Sequence, residues 1–342
     1  MKARYWMAVI TIAALFSAPL SFAADNELGI FEMLRVSEVS FEDTTAALEG
    51  ALASSGLVLH AAHDVRIADD LHQARVYVLT SPAYAASAQD EAPNTISAQI
   101  LRMAVYTSGD EQATYINMAN PVAHAMVFYA DSSGYDQLVA AAEDAAAAMR
   151  EVAASVPGEA VSRQLEPIRK EKHYNKYKGD GPARMMAKFR TFEKSQLEIR
   201  DDSADNFGAV VGKVREALAG SSVSDAEETT GWETVAVIEL RDDAVYIGVT
   251  NPYIEDRMVQ INSRFRKDGK SETSPYPGVD HVAALPTDIL VVKDGDRTKV
   301  LHYGQMWRMQ LYFWDSGYRA FTANVGVPSA IANSIEATVA GN

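Results

Sequence analysis

The sequence predicts an α+β protein of two tandem homologous domains, each carrying helices on one face of an antiparallel sheet, and three observations predict it. First, Ser108–Tyr135 and Asp294–Tyr318 are versions of one segment: a Gly-Asp turn, an apolar run, an aromatic run and an Asp-Ser…Gly-Tyr ending recur in order. Second, each half opens with a stretch of helical period. Third, each half continues with β-rich runs closed by proline, which cannot extend a hydrogen-bonded ladder.

In the first half, Ser40 is a suitable N-cap before Phe41, and Ala47, Leu48, Ala51 and Leu52 recur at helical spacing until Ser54-Ser55-Gly56. In the second, Asp205-Asn206 precedes Phe207, with Val210, Val211, Val214 and Leu218 on one stripe and Gly220 as the stop. Arg75–Pro82 then matches Ala244–Pro252, each β-rich and each followed by a tyrosine, Tyr84 or Tyr253. Leu101–Tyr106 and Asp288–Val292 predict strands that return through Gly109-Asp110 or Gly295-Asp296, which makes hairpins. The aromatic runs Met126–Tyr129 and Gln310–Trp314 are expected to be further strands. Helices over Tyr135–Ala154 and Pro328–Val339 close the two halves.

Residues 26–156 and 184–342 are therefore expected to be the two domains. Between them, 157–183 turns polar and basic, with Arg169, Lys170, Lys172, Lys176 and Lys178 around Tyr174 and Tyr177, and is expected to be an exposed linker.

The first 23 residues carry Lys2 and Arg4, an apolar run from Met7 to Phe16, and small residues at Ser21-Phe22-Ala23. That is the pattern of a secretory signal peptide, with cleavage expected near Ala23 and the periplasm as the expected destination. The apolar run is far shorter than the ~20 residues that span a bilayer, and no later stretch predicts an integral membrane segment. There is no cysteine, so stability falls to core burial. The formal net charge of −15 becomes −17 once Lys2 and Arg4 are removed, and such an acidic surface argues against nucleic acid as a partner.

The motifs Tyr77–Pro82, Leu101–Tyr106 and Asn117–Pro121, repeated as Tyr246–Pro252 and Ile289–Tyr303, resemble the family called domain of unknown function 302. The resemblance implies a TATA-box-binding-protein-like β-α-β4-α fold in each half and assigns no catalytic residue. A cysteine that often follows Leu-Pro in that family is replaced here by Thr287 after Leu285-Pro286, and the second half carries Tyr303-Gly304-Gln305 where the first has an Asn-Pro.

Several clusters could carry chemistry. His302, Met306 and Met309, with Met118, His124 and Met126 in the matching segment of the first half, are donor types that suit Cu(I) or haem. On an extended strand, however, Met306 and Met309 would point to opposite faces, which favours core packing and no cofactor. His60 and His63, beside Asp64, are three apart on an expected strand, a poor spacing for a ligand pair. Trp307, Tyr312, Phe313, Trp314, Tyr318 and Phe321 form the densest aromatic stretch, so some rings are expected to line an apolar ligand surface. Asn251, Tyr253 and Arg257, with Glu255 and Asp256, follow a strand end and are expected in a binding loop, with Arg308 nearby in the repeat.

Serine-nucleophile, phosphate-loop and zinc-protease signatures are absent. The expected function is non-catalytic: an exported binding or accessory protein that holds a small apolar ligand or a periplasmic partner protein. A copper or haem handling protein is the first alternative. An enzyme is the second, and it would require a cleft joining several of Asp242, Glu255, Asp256, His281 and Arg308.

Overall fold

The computed structural model describes residues 27–108, 113–175, 189–221, 231–261, 276–314, 322 and 324–340. The signal segment, the Gly109-Asp110 turn, Tyr177, Tyr318 and Phe321 lie outside the described residues.

In the first half, β1 (Glu27–Ser37) leads to α1 (Phe41–Ala53), β2 (Val58–Asp64), β3 (Ala74–Thr80) and the short α2 (Pro82–Ser87). A 3-10 segment (Pro93–Gln99) precedes β4 (Leu101–Ser108) and β5 (Ala113–Ala119), then α3 (Pro121–Phe128) and α4 (Tyr135–Ala154) follow. Gly158, at φ +140°, begins β6 (Gly158–Lys170), and the short α5 (Glu171–Asn175) comes after it. The second half runs β7 (Gln196–Ser203), α6 (Phe207–Ala219), β8 (Glu233–Arg241), β9 (Ala244–Thr250), α7 (Pro252–Val259) and a 3-10 segment (Val279–Ala284). It ends with β10 (Thr287–Asp294), β11 (Arg297–Tyr303), α8 (Gln305–Phe313) and α9 (Val327–Val339).

The two sheets have one topology. Their orders are β2-β3-β4-β5-β1-β6 and β7-β11-β10-β9-β8, and every pair is antiparallel. The second order, reversed, is the first without β6. The repeat seen in the sequence is thus a repeat of the fold, α+β in both halves.

Capping chemistry explains why helices start where they do. Ser40 accepts from the Asp43 amide at 3.1 Å, Asn120 from Val122 at 3.0 Å and Asn251 from Ile254 at 2.9 Å. Proline follows Ser81, Asn120 and Asn251 at the first helical position, where its missing N–H costs nothing. The Ser-Pro and Asn-Pro pairs therefore end a strand and begin a helix in two residues.

Three sequence readings are corrected. Met126–Tyr129 and Gln310–Trp314 are not strands: they belong to α3 and α8 and their C-caps, α3 starting from the Asn120-Pro121 cap and α8 directly after Gly304 without a side-chain cap. Asn251–Arg257 is not a loop but the cap and body of α7. The segment expected to be an exposed linker holds β6, which pairs with β1 from Glu27↔Lys170 to Ser37↔Gly158, and α5, whose Tyr174 is buried.

Helices cover one face of each sheet, α1 and α4 in the first half, α6 and α9 in the second. The other face meets the opposite half. Pro93–Gln99 lies on β9 and β10, and Val279–Ala284 lies reciprocally on β3, β4 and β5, while the edge strands β2 and β8 touch. With both faces covered, β9 and all but the last residue of β4 are buried without alternation.

At the centre of this contact, Arg102 and Asp288 occupy equivalent positions, each the second residue of its strand, opposite Val78 and Gly248. Their side chains meet at 2.5 Å, nearly without exposure, and the Tyr246 hydroxyl donates to Asp288 Oδ1 at 3.0 Å. Burial opposes the Arg102 charge, but Asp288 together with Tyr246 and Tyr312 outweighs it and raises the pKa. Removing one partner strands the other charge. Asp288→Ala is expected to cost about 3–5 kcal/mol in urea unfolding, whereas Asp64→Ala, which breaks an exposed pair with Arg75, should cost no more than about 1 kcal/mol.

Candidate ligand-binding groove

A groove runs between α7, α8 and α9 in the second half. Helical spacing builds each wall: Ile254, Met258 and Ile261 along and just beyond α7, Gln305, Arg308 and Met309 on α8, Val327 and Ile331 on α9. Phe313 also lines it and stacks on His281 at 5.2 Å. Among the described residues, the lining holds two arginines and no carboxylate.

Arg308 is almost fully buried. Its Nη2 donates to the Ala284 carbonyl at 2.8 Å, and its Nη1 stands 3.7 Å from Asp288 Oδ2 with no hydrogen-bond acceptor. Its guanidinium also lies 5.5 Å from the centre of the Tyr312 ring. Arg257 is exposed at the groove edge, over the ring of Tyr253 at 5.2 Å. Behind the groove, the Tyr312 hydroxyl meets His124 Nε2 at 2.9 Å. Burial, then the charges of Arg102 and Arg308, push the His124 pKa down to about 3, so this ring is neutral at ordinary pH.

The same place in the first half is filled. Counted from the helix caps, Ile254 corresponds to Tyr84, Phe313 to Tyr129 and Arg308 to His124. Tyr84 and Tyr129 are both buried, and Gln99 donates to the Tyr129 hydroxyl. There α4 packs directly on α2 and α3, whereas α9 packs on α8 and α6. One copy is closed where the other is grooved.

The remaining expected site residues are distributed around this groove. Asn251 caps α7 and ties it to the Gly231 carbonyl at 3.1 Å. Tyr253 is buried beside it. Trp307 faces away, 2 % exposed, stacked on Tyr303 at 5.3 Å and edge-on to Phe189. Tyr312 packs on Phe31 of the first half, and Trp314 is the C-cap of α8. These rings knit the halves together, so Trp307 is core and not part of an exposed aromatic surface.

The expected copper or haem donors separate similarly. Met306 and Met309 stand on a helix, not a strand, and Met309 lines the groove. His302 is buried on β11 and faces Glu336 of α9 at 3.5 Å, outside the groove lining. Burial lowers its pKa, with Glu336 opposing. His60 meets Thr80 at 2.8 Å, while His63 meets Glu255. Among the described residues, no group of three His, Asp or Glu side chains could hold a metal ion.

No family model matches the chain, and no curated protein matches it. A solved structure does. It is the crystal structure of an uncharacterized conserved DUF302 protein from Bacillus stearothermophilus, similar at 16 % identity and a TM-score of 0.31 over 37 % of this chain and 98 % of that one. It bears the name of the family that the sequence motifs resemble.

Glu255 is the residue that sequence reasoning misplaced most. Expected in a binding loop, it is fully buried, accepting from the Arg66 amide at 2.8 Å and from Thr250 at 2.9 Å, with His63 at 2.7 Å and Arg66 Nη1 at 3.1 Å. Burial would raise its pKa, but these donors lower it. Such saturation marks a structural tie between halves, and Asp256, Asp242, His281 and Arg308 do not share its contacts.

Two outcomes are expected. Trp307→Ala should lose about 3–5 kcal/mol in denaturant unfolding, as a large ring leaves a packed core. His124 holds its proton only below about pH 3 when folded, but near 6.5 when unfolded. The unfolded state therefore binds the proton first, and as pH falls from 6.5 towards 3 this residue lowers stability by up to about 1.4 kcal/mol per unit. Urea titrations at pH 7, 6 and 5 should show that slope reduced in His124→Gln.

Proposed function

We propose that this is an exported, non-catalytic binding protein that holds a small, largely apolar molecule in the groove between α7, α8 and α9. The observation that carries the reading is the divergence of the two copies. A shared scaffold places two tyrosines in one copy and fills the space; the other substitutes Ile254 and Phe313 and leaves walls of Met258, Val327 and Ile331 around it. Apolar surface is kept from water unless a ligand is to cover it. Export is supported by the charged, apolar and small-residue pattern of the first 23 residues.

Size narrows the occupant. The groove has a volume of about 70 Å³ and is open to solvent, against about 150 Å³ for a closed cavity that takes up benzene. It suits a small molecule or a chain end.

Ile331→Trp should fill the groove from α9. Native mass spectrometry of protein purified from the exported fraction is expected to show a small bound molecule in the wild type and at least tenfold lower occupancy in the variant. Equal occupancy, or none in the wild type after incubation with excess hexan-1-ol or hexanoate, would reject the reading.

A further inference from the structure

We infer that the molecule held in this groove carries an oxyanion head, a carboxylate or a phosphate on a short apolar chain, seated between Arg308 and Arg257. The inference rests on the groove being the ligand site and adds the chemistry of the ligand.

A charge count at the base of the groove points there. Arg102 and Arg308 are buried guanidiniums, and among the described residues one carboxylate, Asp288, stands between them. Asp288 gives its short contact to Arg102 at 2.5 Å and only a long one, 3.7 Å, to Arg308. The neighbouring acid, Asp280, lies 3.0 Å from His281. Arg308 is thus left with a distant carboxylate where water is scarce, and its Nη1 is a buried donor with no acceptor. A buried donor without a partner is costly, and a charged one more so.

The ligand chemistry follows from the donors. A planar guanidinium matches the spacing of two oxygens on a carboxylate or phosphate, and Arg257 at the edge adds a second charge. Among the described residues, no lining carboxylate competes for either arginine. A cationic head would meet two like charges, and a neutral alcohol would bring no charge to either arginine. Beyond the head, Ile254, Met258 and Ile331 accept the chain end.

Calorimetric titration of the full exported chain with hexanoate, hexyl phosphate, hexan-1-ol and hexyltrimethylammonium tests this. At least one of the two anions should bind tenfold or more tightly than the alcohol, and the cation should not bind. Whichever anion is the tighter identifies the head. Arg308→Gln and Arg257→Gln should each reduce the anion's affinity at least tenfold while leaving that of hexan-1-ol within twofold; if Arg308→Gln fails to fold, Arg257→Gln carries the comparison alone. Alcohol and anions binding equally would overturn the oxyanion inference and leave the groove reading standing. Binding by none of the four would remove both.

Discussion

The ion pair between Arg102 and Asp288 sits at the place where the two halves of this chain exchange roles, and the rest of the structure is organised around it. Each sheet presses its second face onto the other half, so each strand there must be apolar or satisfy its polar atoms across the contact. The two residues are equivalent in the repeat. In a symmetric dimer of one domain, that position would meet its own copy, and a charge there would face a like charge. A single chain with two diverged copies can place arginine in one and aspartate in the other. The covalent repeat is what allows the pair, and the pair fixes the register of the two sheets.

Asp288 also links this contact to the groove. Its second oxygen is turned towards Arg308, so the base of the groove and the centre of the interface share one carboxylate. At the corresponding helix position the first half carries His124, a ring held neutral where the second half carries a permanent cation. The same two helices thus close a core in one copy, with Tyr84, Tyr129 and Gln99 in mutual reach, and frame a charged, apolar-walled recess in the other. The first half serves as the platform that keeps the second in shape. Its contribution includes Phe31 behind Tyr312, and Arg169 donating to the carbonyls of Gln310 and Leu311 in α8.

Much of this was readable from residues alone, and the failures share one physical cause. The two-copy architecture was legible because caps, prolines and apolar runs recur in order, and such local signals survive any tertiary context. What the sequence could not report is that both faces of each sheet are covered. That removes the alternation by which a half-buried strand is recognised, and it makes an apolar aromatic helix such as Gln305–Phe313 look like one more strand. Reading α8 as a strand placed Trp307 on an exposed face and set Met306 apart from Met309. The Asn251-Pro252 signal did announce α7, but proline after a β-rich run reads equally as a strand stop, and Glu255 was lost with that choice. Arg308 was legible as a candidate binding residue, but not its place at a groove. Its lack of an acceptor depends on Asp288 turning to Arg102, a contact between residues 186 apart in the chain.

The acidity of the whole protein bears on how an anion would reach such a site. A net charge of −15 sets up a field that slows the approach of an anion, although salt confines it to about 8–10 Å from each exposed charge. Inside the groove the balance reverses. There, among the described residues, the lining charges are Arg257 and Arg308 with no carboxylate, and the surroundings are largely apolar, so their attraction is screened little. Distance decides between the two effects: the repulsion is spread over a screened surface, whereas the attraction acts at hydrogen-bonding range on a donor that has no other acceptor. The opposition therefore acts mainly on the rate of association and hardly on the residence of an anion once bound. With an oxyanion ligand in this recess, the apolar chain would contribute binding that does not depend on charge, which is why the acidic surface would weigh little on such a molecule once bound.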